Sequence, residues 1–509
     1  MKRLDPSIGR DLGYLRAGRE SKKEYIGPRF TQMNTDLYVI IKKNISISIC
    51  GYITTNKFLK EGMMNKKLTK EELLAKANEP KMFAMKYHPF YRGKIGVEIK
   101  APVRNYQDFA IWYTPGVAEP CLDIQKNKNK VYEHTNKGNF VAVVTDGTRV
   151  LGLGDIGPEA ALPVMEGKGM LFKYLGGVDA FPICLNTKDP DEIINAVKWL
   201  VPTFGAINLE DIAKPKCFYI LERLQKELDI PVWHDDQQGT ALVTLAGLIS
   251  ALKVVDKKIE DVSIAFIGAG AANMNCAKYI MLAGANPEKM IMVDSKEILH
   301  QGRMELKKDP TKWNICEKTN KEGRTGYIKE ALKKADVCIA LSKSGPGTIK
   351  KEEIAGMAKD AIVFVCANPI PEIWPWEAKE AGARIVATGR SDFPNQVNNS
   401  LGFPAMFRGA LDVGARTITD EMCITAARAI SNYAKGRGLN EEYIIPTMGE
   451  TEMFIQEAVA VGLKAIEQGV ARIKRSKEEL RELASLAIKK SQGITKLHME
   501  KGFIQLPPE

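Results

Sequence analysis

The sequence lacks any apolar run that approaches the roughly 20 residues a helix needs to cross a bilayer. Its most apolar early stretch is interrupted by Lys42 and Lys43. The N-terminal region also lacks the layout of a signal peptide, and its acidic residues Asp5, Asp11 and Glu20 are atypical of a transit peptide. We therefore expect a soluble, cytoplasmic protein with no membrane partner.

Cysteine is scarce and shows no pattern. The nine cysteines are scattered singly from Cys50 to Cys423, and none forms a Cys-x-x-Cys pair. This odd, dispersed set fits neither a disulfide framework nor a cysteine-based zinc site. Such usage is typical of a reducing compartment.

Positive charge is in excess but unevenly placed. The chain carries 73 Lys and Arg against 62 Asp and Glu, a formal net charge of +11. Residues 1–63 hold twelve basic and six acidic residues, about half of that excess. The sequence has no zinc finger, no aromatic-basic stacking motif and no recognition-helix signature, so we do not expect a nucleic-acid partner. We interpret residues 1–63 as an accessory or poorly ordered extension.

After the extension, short apolar strands alternate with amphipathic helices, a pattern typical of an α/β fold with parallel sheets. The predicted strands are Val141 to Thr145, Ala180 to Leu185, Ala206 to Leu209, Pro231 to Trp233, and then about 262–267, 289–293, 336–341, 361–366 and 384–388. From about residue 404 the chain is predicted to be mainly helical. We divide it into an extension, an N-terminal parallel-sheet catalytic domain, a second α/β domain and a helical C-terminal segment, at residues 1–63, 64–238, 239–440 and 441–509.

A glycine-rich turn opens the second α/β domain. The apolar strand ending at Ile267 runs into Gly268-Ala269-Gly270, and a helix follows from Ala271, Ala272 and Asn273. Backbone amides at such a turn, with the helix N-terminus, bind a pyrophosphate, so we predict a Rossmann-type NAD(P)-binding domain. The third motif position is Asn273, where Gly or Ala is usual.

Asp294 ends the next predicted strand, about twenty residues further on. A carboxylate there accepts hydrogen bonds from the adenine-ribose hydroxyls and repels a 2′-phosphate, which favours NAD. The nearby Lys296 could instead receive that phosphate. We therefore expect NAD as the cofactor and keep NADP open.

Two acidic pairs follow strands of the first sheet. Glu210 and Asp211 come after one strand, and Asp235 and Asp236 come after the next. Taken singly, each pair could simply lie in a loop or cap a helix. Strand ends of a parallel sheet converge on one crevice, however, and hard oxygen ligands of this kind suit Mg²⁺ or Mn²⁺.

At this point the sequence resembles the malic enzymes, in particular their shorter prokaryotic type. The resemblance runs from about Met64 to the mid-400s and rests on seven blocks in the expected order. These are Tyr113 to Ala118, Thr145 to Gly157, Glu166 to Lys168, Leu209 to Asp211, His234 to Thr240, Ala367 to Pro369, and Asn395 to Asn399.

The resemblance implies roles for residues that would otherwise be read as ordinary surface or core side chains. Lys168 would be the general base, with Asp235 beside it, and Tyr113 would be the general acid. The implied metal ligands are Glu210, Asp211 and Asp236. The implied substrate contacts are Asn368, which would also contact the cofactor, Asn398, and Arg149, which matches an arginine of the larger eukaryotic members.

The implied reaction is oxidative decarboxylation of L-malate to pyruvate and CO₂ with reduction of NAD(P), through oxaloacetate and enolpyruvate. A lysine base needs a pKa lowered by burial or by nearby cations. The resemblance also suggests a homodimer or homotetramer. Two alternatives remain open at this stage: a malolactic enzyme, which converts malate to lactate, and a catalytically inactive relative that senses nucleotides.

Overall fold

A computed structural model describes residues 70–508 of the chain, so the predicted extension at 1–63 lies outside the described residues. From Pro80 onward the described chain forms one compact unit, and apart from the first ten residues of the first helix, Lys70–Glu79, the features below belong to it. Within the described residues, no helix is long and apolar enough to cross a membrane. The first helices are α1 (Lys70–Tyr91), α2 (Asp108–Trp112), α3 (Ala118–Lys126) and α4 (Val131–His134).

The first sheet has four parallel strands in the order β2-β1-β3-β4. Its four strands are mainly apolar because helices cover both faces; the edge strand β2 is only partly buried, whereas the other three are buried. They are β1 (Phe140–Thr145), β2 (Asp179–Cys184), β3 (Ala206–Leu209) and β4 (Val232–His234). The connecting helices are α5 (Pro158–Gly176), α6 (Pro190–Leu200) and α7 (Lys216–Glu227).

Helix α8 (Thr240–Val254) leads from the first sheet to the second and is buried along nearly its whole length. The second sheet has five parallel strands in the order β6-β5-β7-β8-β9. Its strands are β5 (Ile264–Ile267), β6 (Met290–Val293), β7 (Val337–Ala340), β8 (Ile362–Val365) and β9 (Ile385–Thr388). Its helices are α9 (Ala271–Leu282), α10 (Pro310–Lys318), α11 (Ile328–Leu332), α12 (Lys351–Ala355) and α13 (Pro375–Glu380).

Long helices form the C-terminal part. They are α14 (Phe403–Asp412), α15 (Asp420–Arg437), α16 (Thr451–Glu467) and α17 (Lys477–Glu500). Helix α14 packs on the first sheet's helix α5, where the ring of Phe172 lies 4.6 Å from that of Phe403 and 5.0 Å from that of Phe407. These contacts join the helical segment to the core around the first sheet.

The predicted fold class is confirmed: two parallel sheets and a mainly helical C-terminal part, with every predicted strand found within two residues of its expected bounds. The strands run parallel throughout, but the order in which the chain adds them reverses between β1 and β3 in one sheet and between β5 and β7 in the other. At such a switch point the loops diverge and leave a crevice at the carboxyl ends of the strands. Both crevices hold the residues described next.

Candidate active site

A cavity of about 1030 Å³ lies at the carboxyl ends of both sheets. Glu210 and Asp236 line it from the first sheet, and Gly268 and Asn368 line it from the second. The two sides meet closely, since a Cβ added at Gly152 would lie 2.6 Å from the Asn368 carbonyl oxygen. The cavity therefore spans the predicted metal site and the predicted dinucleotide site.

Three carboxylates converge at the first crevice. Ligand oxygens of Glu210, Asp211 and Asp236 all lie within 4.8 Å of one another. Asp211 has a φ of +54°, and its backbone N–H donates a hydrogen bond to Asp236 Oδ2 at 2.8 Å. This bond fixes the position of Asp211 relative to Asp236. Asp211 Oδ2 is buried and has no hydrogen-bond partner among the described residues. An orphaned buried oxygen within a set of hard oxygen donors fits a divalent cation such as Mg²⁺ or Mn²⁺.

The pKa values of the clustered carboxylates also favour a bound cation. Burial, followed by the charge of Asp236, raises the pKa of Asp211 to about 8. Burial also raises the pKa of Glu210 well above its ordinary value, with further repulsion from its acidic neighbours. Without a cation, these carboxylates are costly to keep ionised together.

Lys168 is buried on helix α5 beside this cluster. Its Nζ lies 2.6 Å from Asp235 Oδ2 and 3.0 Å from Glu210 Oε1, as well as 4.4 Å from the centre of the Phe403 ring. In the chain without bound ligands, burial and the neighbouring carboxylates shift the pKa of Lys168 in opposite directions, and the lowered pKa stays a prediction for the site with its cation bound. Burial lowers the pKa of Lys168, but the charges of Asp235 and Glu210 outweigh it and raise that pKa well above its ordinary value.

The glycine turn has the expected form. Gly268, at a φ of +103°, connects β5 to α9, and Gly270, Ala271 and Ala272 also line the cavity. Asn273 has a different position from the one predicted. It is fully buried, and its Nδ2 donates to the carbonyls of Ile267 at 3.0 Å and of Gly268 at 2.8 Å. The side-chain amide of Asn273 thus stabilises the turn through these two hydrogen bonds, and Asn273 does not line the cavity.

Asp294 lines the second crevice but is already engaged. Its carboxylate accepts hydrogen bonds from Arg303 and from Lys312, and Lys312 also lines the cavity. Lys296, the predicted alternative receiver of a phosphate, is exposed and stands outside the lining. Lys312, rather than Lys296, is therefore the lysine that both contacts Asp294 and lines the cavity.

The remaining predicted substrate contacts line the cavity. Asn398 donates through Nδ2 to the Gly389 carbonyl at 3.1 Å. Arg149 is exposed, and its Nη1 donates to the Leu151 carbonyl at 2.9 Å. Asn368 precedes a cis peptide bond to Pro369.

Tyr113, the predicted general acid, does not lie with the other predicted catalytic and metal-binding residues. Its side chain is 71% exposed, and it does not belong to the cavity lining within the described part of the chain. It follows helix α2, and a short stretch of exposed apolar residues surrounds it in sequence. A single chain therefore leaves Lys168 without the predicted acid.

Among the lining residues to which sequence reasoning gave no role are His234, Lys214 and Lys312. His234 is fully buried, and burial lowers its pKa. The position of His234 directly before Asp235 could have indicated that it lies at the site. Lys214 donates to the Ala269 carbonyl at 2.8 Å and so ties the first sheet's loop to the glycine turn. No motif in the neighbouring sequence indicates a role for Lys214 or Lys312.

Comparison with known proteins agrees with this geometry. The sequence pattern of the malic enzyme N-terminal domain matches residues 92–225, and that of the malic enzyme NAD binding domain matches residues 237–466. The bifunctional malic/malolactic enzyme of Bacillus subtilis is 51% identical over 399 residues, which cover 78% of this chain and 96% of that protein.

Two further relatives extend the comparison. The NAD-dependent malic enzyme of Geobacillus stearothermophilus is 51% identical over 380 residues, covering 75% of this chain and 78% of that enzyme. The crystal structure of Entamoeba histolytica malic enzyme superposes with a TM-score of 0.86 at 48% identity, covering 89% of this chain and 95% of that one. The matched domains, the relatives and the site together show that this chain belongs to the malic enzyme family of NAD(P)-dependent oxidoreductases.

Proposed function

We propose that the chain converts L-malate to pyruvate and CO₂ while reducing NAD(P). One observation carries the proposal: buried Lys168 lies within 3.0 Å of Glu210, a member of the three-carboxylate cluster, in a cavity that also contains a dinucleotide turn. A base, a metal site and a redox cofactor site are the three elements that oxidation and decarboxylation of a 2-hydroxy acid require.

The chain's own residues account for the positions of the proton and the substrate. Lys168 Nζ takes the proton of the C2 hydroxyl, and Asp235, 2.6 Å away, fixes where that amine points. When Glu210 acts as a metal ligand, its charge no longer favours the protonated lysine. Glu210, Asp211 and Asp236 would hold a divalent cation, which would supply Lewis-acid stabilisation of charge on the substrate oxygens. The turn at Gly268 would hold the dinucleotide, which would supply the acceptor for the C2 hydride. Asn398 and Arg149 line the space left for the malate carboxylates.

Tyr113 is proposed as the acid that protonates C3, and this role requires a second copy of the chain. The tyrosine is 71% exposed and stands among exposed apolar side chains of the same segment, including Tyr106, Ile111 and Trp112. An apolar surface of this kind is typical of a protein interface. We therefore propose a homodimer, or a homotetramer built from it, in which Tyr113 of one chain completes the site of the other.

A mixed dimer tests this arrangement. Tyr113→Phe and Lys168→Met chains with different tags are co-expressed, and the heterodimer is purified. Recovery of activity, relative to either homodimeric variant, supports a shared site, because one site then receives both intact residues. A heterodimer as inactive as its parents contradicts it.

The activity itself is tested with L-malate, Mn²⁺ and either dinucleotide. Pyruvate and reduced cofactor should accumulate in equal amounts. Lys168→Met should lower kcat by about 10²- to 10⁴-fold, because the loss of a general base typically has that effect. Lys173→Met on the same helix, a partly exposed lysine, is the matched control and should keep the wild-type rate. Wild-type activity in Lys168→Met contradicts the assignment.

A second candidate activity is malolactic conversion, favoured by the name of the B. subtilis relative. The same assay separates the two, because lactate without net reduced cofactor is the malolactic result. A cytoplasmic location remains part of the proposal and is supported by the free cysteines of the described residues.

A further inference from the structure

Gly389, the residue after β9, contacts the two asparagines that the family resemblance assigns to the substrate, Asn368 and Asn398. Gly389 itself does not line the cavity, whereas both asparagines do. Asn368 follows β8, and Asn398 lies beside the end of β9 because the Val397 amide donates to the Thr388 carbonyl at 2.7 Å. A residue that contacts both asparagines can set the position of one relative to the other.

The backbone carbonyl of Gly389 orients the carboxamide of Asn398. Asn398 Nδ2 donates to this carbonyl at 3.1 Å, and Asn398 Oδ1 accepts from the Ser400 amide at 3.0 Å. These two contacts determine which end of the carboxamide is the nitrogen. A carboxamide nitrogen carries two N–H groups, so the Gly389 carbonyl uses one and the second is available to a ligand in the cavity.

The missing side chain of Gly389 leaves room for the carboxamide of Asn368. A Cβ at Gly389 would lie 2.9 Å from Asn368 Nδ2, which is closer than van der Waals contact, and 3.3 Å from Asn368 Oδ1. It would also lie 3.1 Å from the Cys366 carbonyl oxygen. The backbone conformation does not require glycine, because Gly389 does not have a positive φ. The space occupied by Asn368 is therefore what distinguishes glycine from alanine at this position.

We infer that Gly389 is a positioning residue for substrate recognition. Its carbonyl orients Asn398, and its lack of a side chain lets the Asn368 carboxamide stay at the cavity wall, so that both carboxamides contact a carboxylate of the 2-hydroxy acid. The inference rests on the proposed function and specifies how the substrate is oriented in that site. Hydrogen bonds from amide N–H groups to a carboxylate are charge-assisted, so a displaced carboxamide should weaken substrate binding measurably.

The substitution Gly389→Ala tests the inference in the full chain with L-malate, Mn²⁺ and either dinucleotide. The added methyl group should displace the Asn368 carboxamide and raise KM for malate by about 10- to 100-fold, the expected effect of losing a hydrogen bond to a charged group. The value of kcat should stay near that of wild type, because the lost contact is a binding contact. Gly436→Ala is the matched control, since a Cβ there meets no atom within 4 Å. A fall in kcat at constant KM overturns the inference.

A double-variant cycle separates an effect through Asn368 from a general structural effect. In an Asn368→Ala chain the carboxamide is absent, so the further change Gly389→Ala should leave KM for malate unchanged. Thermal unfolding is measured in parallel, and Gly389→Ala should keep a Tm close to that of wild type because the end of a side chain can move aside. Effects on KM that multiply in the double variant overturn the inference. A loss of Tm that Asn368→Ala does not restore also overturns it, because the Cβ then acts through the Cys366 backbone.

Calorimetry gives a measurement that needs no turnover. L-malate is titrated into the chain loaded with Mn²⁺ and the reduced dinucleotide, which cannot accept a hydride. Malate should bind to Gly389→Ala about 10- to 100-fold more weakly than to wild type or to Gly436→Ala. If this holds while malate is not oxidised in the activity assay, the proposed function fails and the role of Gly389 stands. If malate is oxidised and Gly389→Ala binds it as tightly as wild type, the proposed function stands and the inference is overturned.

Discussion

Trp233 Nε1 donates a hydrogen bond of 3.0 Å to Oδ1 of Asp235. The other oxygen of that carboxylate lies 2.6 Å from Lys168 Nζ, and both Trp233 and Asp235 are fully buried. The indole therefore fixes the carboxylate that in turn fixes the amine. Trp233 does not belong to the cavity lining, so we assign it as a positioning residue.

Replacing this indole should lower the rate more than it weakens substrate binding. Trp233→Phe leaves Asp235 Oδ1 without its donor, and we expect kcat to fall by about 10- to 100-fold, as for other residues that orient a functional group. KM for malate should stay near its wild-type value. The exposed Trp199→Phe is the control. A rise in KM at constant kcat would show that Trp233 does not act through Lys168.

Mn²⁺ should bind to the chain without substrate. The three clustered carboxylates repel one another, and a cation removes that repulsion, so calorimetry should detect one site. At a Mn²⁺ concentration of 100 Kd, the free energy of unfolding should rise by about 2.7 kcal/mol. Asp236→Asn should weaken binding strongly, whereas the exposed Asp191→Asn should not. Equal affinities in the two variants would refute the ligand assignment.

Alanine substitutions at the two glycines of the dinucleotide turn should have different effects. Gly268 has a φ of +103°, and a Cβ there would lie 2.7 Å from the Leu341 carbonyl oxygen, so Gly268→Ala should destabilise the fold by about 1–3 kcal/mol. A Cβ at Gly270 meets no atom within 4 Å. Gly270→Ala should keep the wild-type Tm but weaken dinucleotide binding, because its methyl group enters the cavity. Thermal unfolding and calorimetry would separate the two effects.

Glu372 should make stability depend on pH. Its carboxylate accepts from the Ser342 amide at 2.8 Å and the Ala367 amide at 3.2 Å, and burial raises its pKa from 4.5 to about 7. Folding therefore favours the protonated form. This contribution is fully present below about pH 4.5 and is lost as the pH rises through about 7.

The contribution is measured as the difference between wild type and Glu372→Gln in the free energy of unfolding. This difference should change by up to about 3 kcal/mol between these pH values, at 1.36 kcal/mol per unit of pKa shift. The exposed Glu352→Gln removes the same charge from the surface and is the matched control. A difference that does not vary with pH would contradict the buried, protonated state of Glu372.

Local features of the fold followed directly from the sequence. The apolar runs gave the strands of both sheets, and the turn at Gly268 gave the start of the dinucleotide domain. Each of these depends on neighbours within a few residues, so periodicity and turn chemistry are enough to predict them.

The contacts that decide the chemistry join residues far apart in the chain. Lys168 meets Asp235 across 67 residues, and Lys312 meets Asp294 across 18. Sequence reasoning placed Lys168 beside Asp235 through family resemblance, but it did not show that the neighbouring carboxylates raise the pKa of Lys168 in the chain without a cation, and it left Lys312 unnoticed. The strand orders β2-β1-β3-β4 and β6-β5-β7-β8-β9 determine which strand ends lie close together. The sequence thus determined the elements and the residue types of the site, and the tertiary structure alone determined charge balance, burial and the exposure of Tyr113, because these depend on packing between distant segments.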